Sequence, residues 1–234
     1  MRQIAHIFKR ELKAYFVSPI AYIVISIFLL ITGWFFFSVF FLYNQADLRN
    51  FFTMLPIIFS FVVPAVTMRL FSEELNVGTY EILLTMPVTI LDVVLGKFAA
   101  AIAFVSAMLV PTLAYPVTAS FLGQLDWGPV AGGYVGAVLL GSAFAAIGVF
   151  TSSLTRNQII AFISGMAICF SLTLIDKVLF FLPQSMLGFL EYLGADFHFQ
   201  KISKGVIDSR DIIYFLSVVF AGLYAAHIAL HEKQ

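Results

Sequence analysis

Apolar residues fill long blocks of this chain, and charged residues fall between the blocks. Taking only Asp, Glu, Lys and Arg as interruptions leaves six long charge-free runs: 14–46, 50–68, 98–125, 127–155, 157–175 and 212–231. A helix needs roughly 20 mostly apolar residues to cross the hydrocarbon layer, and a charge at its centre costs about 2.5 kcal/mol or more. The pattern therefore predicts an all-α integral membrane protein with six transmembrane helices. The fifth is expected to run on past Asp176 and Lys177 to Leu182, because VLFFL continues the apolar pattern until Pro183 stops it. Only Arg156 and Asn157 part the fourth run from the fifth, so these two spans should form an antiparallel hairpin.

The pattern changes ahead of the first span. At about 100° per residue, Ile4, Ile7, Phe8, Leu12, Tyr15 and Phe16 gather on one side of a helix, with Arg2, Gln3, His6, Lys9, Arg10 and Lys13 opposite. Residues 1–18 thus predict an amphipathic helix lying in the membrane interface, its basic face toward anionic headgroups and its aromatic edge at headgroup depth. Ser18 and Pro19 break it and turn the chain into the bilayer. Glu11 falls in the middle of the apolar face. It either pairs with a buried base of another segment, Arg69 being the nearest candidate, or snorkels or sits at a seam between helices.

Between the second and third spans lies RLFSEELNVGTYEILLTMPVTILDVVLGK. Ser72 is a suitable N-cap, with Glu73 and Glu74 in the first turn, where acids favour the helix dipole. Gly78 interrupts, Thr79 can cap a second short helix bearing Ile82, Leu83, Leu84 and Met86, and Pro87 stops it. Thr89 with Asp92 three residues later reads as a capping box opening the third span. Residues 71–88 are expected to form two short helices about a glycine hinge, presenting acidic and apolar surface together.

Composition agrees with a membrane protein and removes other classes. Of 234 residues 61% are hydrophobic and 11% charged, against roughly 25% charged in soluble domains. Lys+Arg 13 balances Asp+Glu 13, so no overall field recruits nucleic acid. The single Cys169 lies in an apolar run and reads as a small hydrophobe. The opening MRQIAHIFKRELKAYF is too regularly interrupted by charge for a signal peptide, so the first run is kept as a span. If the amino terminus is cytoplasmic, that side carries eight Lys and Arg (Arg2, Lys9, Arg10, Lys13, Arg69, Lys97, Arg156, Lys233) against five on the other (Arg49, Lys177, Lys201, Lys204, Arg210). The positive-inside bias assigns both termini to the cytoplasm. With no internal repeat or soluble segment, 1–234 reads as one membrane domain.

The segment EELNVGTYEILLTMPVT resembles the stretch after the second span in type-2 ABC exporter permeases, where an acid, Gly-Thr, Glu, paired Leu and Pro recur. KRELKAYFVSP and GVIDSRDIIYFLSV are also similar to that family, particularly its short permeases of the gliding-motility-associated type. The resemblance covers most of the chain. It implies six spans, an amino-terminal amphipathic helix including Arg10, Glu11, Tyr15 and Phe16, and a cytoplasmic coupling helix that inserts into a separate ATPase subunit. Carried across, Glu73, Glu74, Gly78, Thr79, Glu81, Leu83, Leu84 and Pro87 form the coupling region. It further implies a second permease, identical or not, completing the pathway in a bacterial cytoplasmic (inner) membrane. ATP and Mg are expected on the partner ATPase, with no cofactor on this chain.

Other functions leave less trace. HExxH, GxSxG and GxGD are missing and no paired acids sit mid-span, so a membrane-embedded enzyme has no visible machinery. His227 and His231, one turn apart near a span end, read as interfacial rather than as haem ligands. An ion-gradient-driven secondary transporter or channel is the remaining alternative, but such proteins place ionisable groups near the midplane, which these runs lack. An apolar pathway suits lipidic or amphipathic cargo, or force transmitted to an external partner. Residues 183–211 form the long external connection, read as an interfacial SMLGFLEYL followed by a solvated turn, or as a lid or contact for an accessory protein. Ser209 is expected to cap the sixth span, and Pro56, Pro64, Pro111 and Pro116 offer kinks in the second and third.

Overall fold

The computed structural model describes residues 2–43, 47–84, 88–178, 192–206 and 208–233, with the backbone alone at 2, 39–43, 82–84 and 178. The described residues are helical, without strands, and contain six segments long and apolar enough to cross a membrane. This is the outcome that lipid imposes, since a helix satisfies its own backbone donors and acceptors where no water is at hand.

The amphipathic α1 (Arg2–Val17) packs along the start of α6. Pro19 occupies the first position of α2 (Pro19–Tyr43), where its missing N–H costs nothing. Next, α3 (Arg49–Thr67) carries Pro56 and Pro64 inside it. Two short helices follow, α4 (Arg69–Val77) and α5 (Thr79–Leu84), and then α6 (Ile90–Leu109), which opens on the expected capping box of Thr89 and Asp92. Around Pro111 the third span changes to a 3-10 turn (Val110–Leu113) before resuming as α7 (Ala114–Leu122). The hairpin of α8 (Trp127–Leu154) and α9 (Gln158–Val178) turns at Asn157, whose side chain accepts from the Ile159 N–H at 2.9 Å. The expected extension of α9 to Leu182 and the interfacial SMLGFLEYL fall outside or at the edge of the described residues. Two helices, α10 (Ala195–Ser203) and α11 (Ser209–His231), complete the chain.

At the centre stands α8, against which α3, α6, α9, α10 and α11 all pack. Small residues make this possible. A Cβ on Gly222 of α11 would come within 3.0 Å of the Ala146 backbone and side chain, and one on Gly148 would collide with the Thr67 side chain of α3. With little hydrophobic force between helices in lipid, such close backbone approach is what drives association.

Three local expectations are corrected. Ser72 does not cap α4. The helix starts earlier, at Arg69, and the Ser72 hydroxyl donates to the Met68 carbonyl within it. The donors orphaned at the α3–α4 break are met instead from α8: Ser152 Oγ accepts from Phe71 N at 2.9 Å and Ser72 N at 3.1 Å, while donating to the Met68 carbonyl at 2.8 Å. The cap of α11 is Asp208, accepting from Arg210 N at 3.0 Å, and not Ser209. Finally, 195–203 is no solvated turn. Ala195, Phe199 and Ile202 recur at helical spacing and are buried against the bundle.

Replacing Gly222 by Val should cost about 1–3 kcal/mol, because the obstruction is backbone and cannot rotate away. Thermal unfolding in detergent should show Gly222→Val below Phe220→Leu, a change on the exposed face of the same helix.

Candidate functional site

Polar chemistry concentrates at the end of the bundle where α1, α4, α5, the start of α6 and the end of α11 meet. Along α6 the buried stripe Val93, Val94, Ala100, Ala101 and Phe104 contains one charged member, Lys97, whose side chain is 1% exposed. An ammonium there must be neutralised and fully hydrogen-bonded, since an unpaired buried charge costs several kcal/mol. Lys97 Nζ donates to the Leu70 carbonyl at 2.6 Å and pairs with Glu74 Oε1 at 2.9 Å and Glu11 Oε1 at 3.5 Å. Arg10 closes the ring from the surface, 2.7 Å from Glu11 and 3.3 Å from the same Glu74 oxygen. Two bases and two acids thus join α1, α4 and α6 in a neutral cluster. Burial pulls the Arg10 guanidinium down, but the Glu11 hydrogen bond and the charges of Glu11 and Glu74 outweigh it, and the net shift is upward.

The expected partner of Glu11 is therefore corrected. Arg69 pairs with Glu73 one turn on, at 3.4 Å, and Lys97 with Arg10 takes Glu11. The reason lies in the faces of the helices: Glu11 sits on the side of α1 that packs on α6, where Lys97 points.

Around the cluster opens a cleft of about 540 Å³ lined by α1, α4 and the start of α6, with Tyr15, Arg69, Glu73, Val77 and Thr79 also on its wall. Tyr15 is buried and donates to the Val66 carbonyl at 3.0 Å, an acceptor freed by the break after Thr67. Burial raises its hydroxyl well above the usual phenol range, with Glu11 adding to the shift and Arg69 opposing it. Phe16 packs at 5.8 Å on Phe104, which also stacks on Tyr15, so Tyr15 and Phe16 both dock on the bundle.

Gly78 ends α4 at φ 81°, the left-handed region, with open space where a Cβ would stand. Conformation rather than room is thus what asks for glycine here. Thr79 is the first residue of α5, its hydroxyl directed back to the Glu74 carbonyl at 3.5 Å. Tyr80, buried, donates to the Leu230 carbonyl of the last turn of α11 at 3.2 Å. Burial, and then the Glu74 charge, raise its hydroxyl too.

The sequence-predicted residues divide by direction. Glu74 turns inward, 18% exposed, while Glu73 at 48% and the exposed Glu81 face out. Leu83 and Leu84 lie in α5 with their side chains outside the description, and Pro87 lies outside the described residues. Val77, 69% exposed beside Gly78, adds apolar surface at the tip. Lys97, Tyr80 and Val77 were not singled out by the sequence. Lys97 had a legible signal: position 97 continues the 93, 94, 100, 101, 104 stripe, so a base sits on a buried face just as Glu11 does.

Six segments able to span a membrane, with an amphipathic helix and a polar hairpin gathered at one end of them, define a multi-pass membrane protein. The family model described as ABC-2 family transporter protein matches residues 12–230, and the chain belongs to that family. It is accordingly a membrane permease component of an ABC transporter, a class that implies an ABC ATPase partner. No curated protein matches the chain.

Lys97→Met removes the cation that holds both carboxylates. The remaining acids, left with Arg10 alone, should destabilise the protein by about 3–5 kcal/mol, read as a lowered melting temperature in detergent. The triple change Lys97→Met, Glu11→Gln and Glu74→Gln should recover much of the loss.

Proposed function

We propose that this chain is one half of an ATP-driven exporter in a bacterial cytoplasmic membrane, of the short gliding-motility-associated type, with both termini in the cytoplasm. The α4–Gly78–α5 hairpin is its coupling element and seats in a cleft of a separate ATPase subunit, which holds ATP and Mg. A second permease, a copy of this chain or a relative, completes the pathway.

One observation carries this reading: the hairpin is fixed on its inner side and free at its tip. Glu74 ties it to Lys97 on α6 and Tyr80 ties it to Leu230 on α11, while Glu73, Val77 and Glu81 face outward. A push at the tip is delivered to two spans and, through Glu11 and Arg10, to α1. Two acids flanking exposed apolar surface match a basic, apolar-floored groove on the partner. The apolar spans favour lipidic or amphipathic cargo, or force passed to an external accessory protein.

The inward turn of Glu74 decides which variants test the docking surface. Glu73→Lys with Glu81→Lys reverses the outward charges and leaves the buried cluster whole. Co-expressed with an ATP-binding cassette subunit that pairs with the unmodified chain, the double variant should bind it at least about tenfold more weakly, or 1.4 kcal/mol, at an unchanged melting temperature. An unchanged complex with unchanged stimulation of ATPase activity would overturn the assignment. Ion-gradient-driven transport by the purified chain alone would support the secondary-transporter alternative.

A further inference from the structure

Three turns of the chain at the charged end carry donors that the protein itself does not use. Ser18 stands between α1 and α2, Arg69 opens α4 after α3, and Gln158 opens α9. All three line one crevice of about 120 Å³, with the buried Ala21, Val66 and Phe104 as its floor and the exposed Ile20 at its side. Arg69 meets Glu73 through Nε at 3.4 Å, and its Nη donors have no hydrogen-bond partner among the described residues. The Ser18 hydroxyl oxygen accepts from the Ile20 N–H at 3.4 Å, while its hydrogen is unspent, as is the Gln158 side-chain amide.

The chemistry of this donor set is specific. The Arg69 side chain is 29% exposed, so its guanidinium has lost much of its water. A guanidinium fork matches the oxygens of a phosphate, and an amide and a hydroxyl can serve the oxygens it does not reach. Beneath the donors the wall is apolar. The crevice lies where α2 and α9 start and α3 ends, which is the depth at which a bilayer changes from headgroup to hydrocarbon. It shares Tyr15, Arg69 and Glu73 with the 540 Å³ cleft, so Arg69 stands between a polar room and an apolar slot.

We propose that this crevice is the seat of one resident glycerophospholipid. Its phosphodiester accepts from Arg69 Nη, the Gln158 amide and the Ser18 hydroxyl, the first methylenes of one acyl chain lie between α2 and α3, and the rest of the head reaches into the cleft. The lipid is a fixture of the fold and not cargo, because Phe104, 1% exposed, closes the inner end and a chain can lodge there without passing through. It has a task to do. The helix α2 packs chiefly on α3, α1 and the 3-10 turn, and Ile23, Ile27, Leu30 and Trp34 along it are exposed. A lipid bridging Ser18, Arg69 and Gln158 ties the start of α2 to α4 and α9. None of this requires the hairpin to dock an ATPase.

Neither half of the site suffices alone. Glu73 beside Arg69 offsets much of its charge, so a free phosphate gains little over remaining in water. A neutral lipid gains from the apolar floor but leaves the three donors unanswered. A phospholipid uses both halves at once, and the site commits to it for that reason.

Phosphatidylethanolamine carrying a photoreactive diazirine near the carbonyl end of one acyl chain tests the site on the full chain in a phosphate-free detergent. Peptide mapping should place the label on residues 20–24 or 65–68, the apolar walls of the crevice. A diacylglycerol with the same diazirine should label these residues far less, and excess soluble glycerophosphoethanolamine should not displace the phospholipid. Arg69→Gln should cut the labelling about tenfold and Gln158→Leu about threefold, whereas Lys13→Gln, which removes an exposed base of α1, should leave it unchanged. Should Arg69→Gln fail to fold, Gln158→Leu combined with Ser18→Ala takes its place, with the same loss expected. Label found only elsewhere, equal labelling by the diacylglycerol, displacement by the soluble head, or an equal loss with Lys13→Gln overturns the proposal.

Discussion

A lysine ammonium closed off from water sets the terms for one whole end of this molecule. Lys97 sits on the packed face of α6, and its charge has to be answered within hydrogen-bond reach by Glu74, Glu11 and the Leu70 carbonyl. These answers come from three different elements, so α1, α4 and α6 cannot part without stranding charge in a poorly polarisable medium. The amphipathic helix is therefore bound to the α4–Gly78–α5 hairpin by charge as well as to α6 by its apolar stripe. Arg10 adds a second cation at the rim and brings the four charges to balance.

The same end shows how broken helices are reconciled with a membrane. Where α3 stops at Thr67, Ser152, Tyr15 and Lys97 reach into the break from α8, α1 and α6. Where α8 stops at Leu154, Lys233 donates to the Ser153 and Leu154 carbonyls at 2.7 and 3.1 Å. Burial, and then Arg156, lower the Lys233 ammonium from its ordinary value. Both of these helix ends are closed by side chains from other segments, the terms on which irregular backbone within a membrane is tolerated.

The architecture could be read from the chain because its cause is one-dimensional. Charge-free length alone marks a span, and Gly78, the Thr89–Asp92 box and the Ser18–Pro19 break are local signals with local outcomes. Glu11 was visible as an anomaly on an apolar face, but its partner was not, since Lys97 stands 86 residues away and only packing decides which base it meets. Ser72 misled for a similar reason: a good capping residue lost its place once Ser152 supplied donors' needs from another helix. The stretch 195–203 reads as polar residue by residue, and its Ala195, Phe199, Ile202 stripe gains meaning only when α3 and α8 stand beside it. The inward turn of Glu74 and outward turn of Glu73 likewise follow from which side of α4 meets α6.

The glycine contacts of α8 have a mechanical corollary. Gly222 rests on the Ala146 backbone and Gly148 under Thr67, in seats that accept no Cβ. A slide of α11 along α8 by one residue, about 1.5 Å, would bring Ala221 or Leu223 toward a seat shaped for hydrogen alone. These contacts act as detents: they permit helices to rock about the point of contact but block gliding along their length. The α3–α8–α11 core is thereby a bearing, one whose geometry allows tilt and resists stroke.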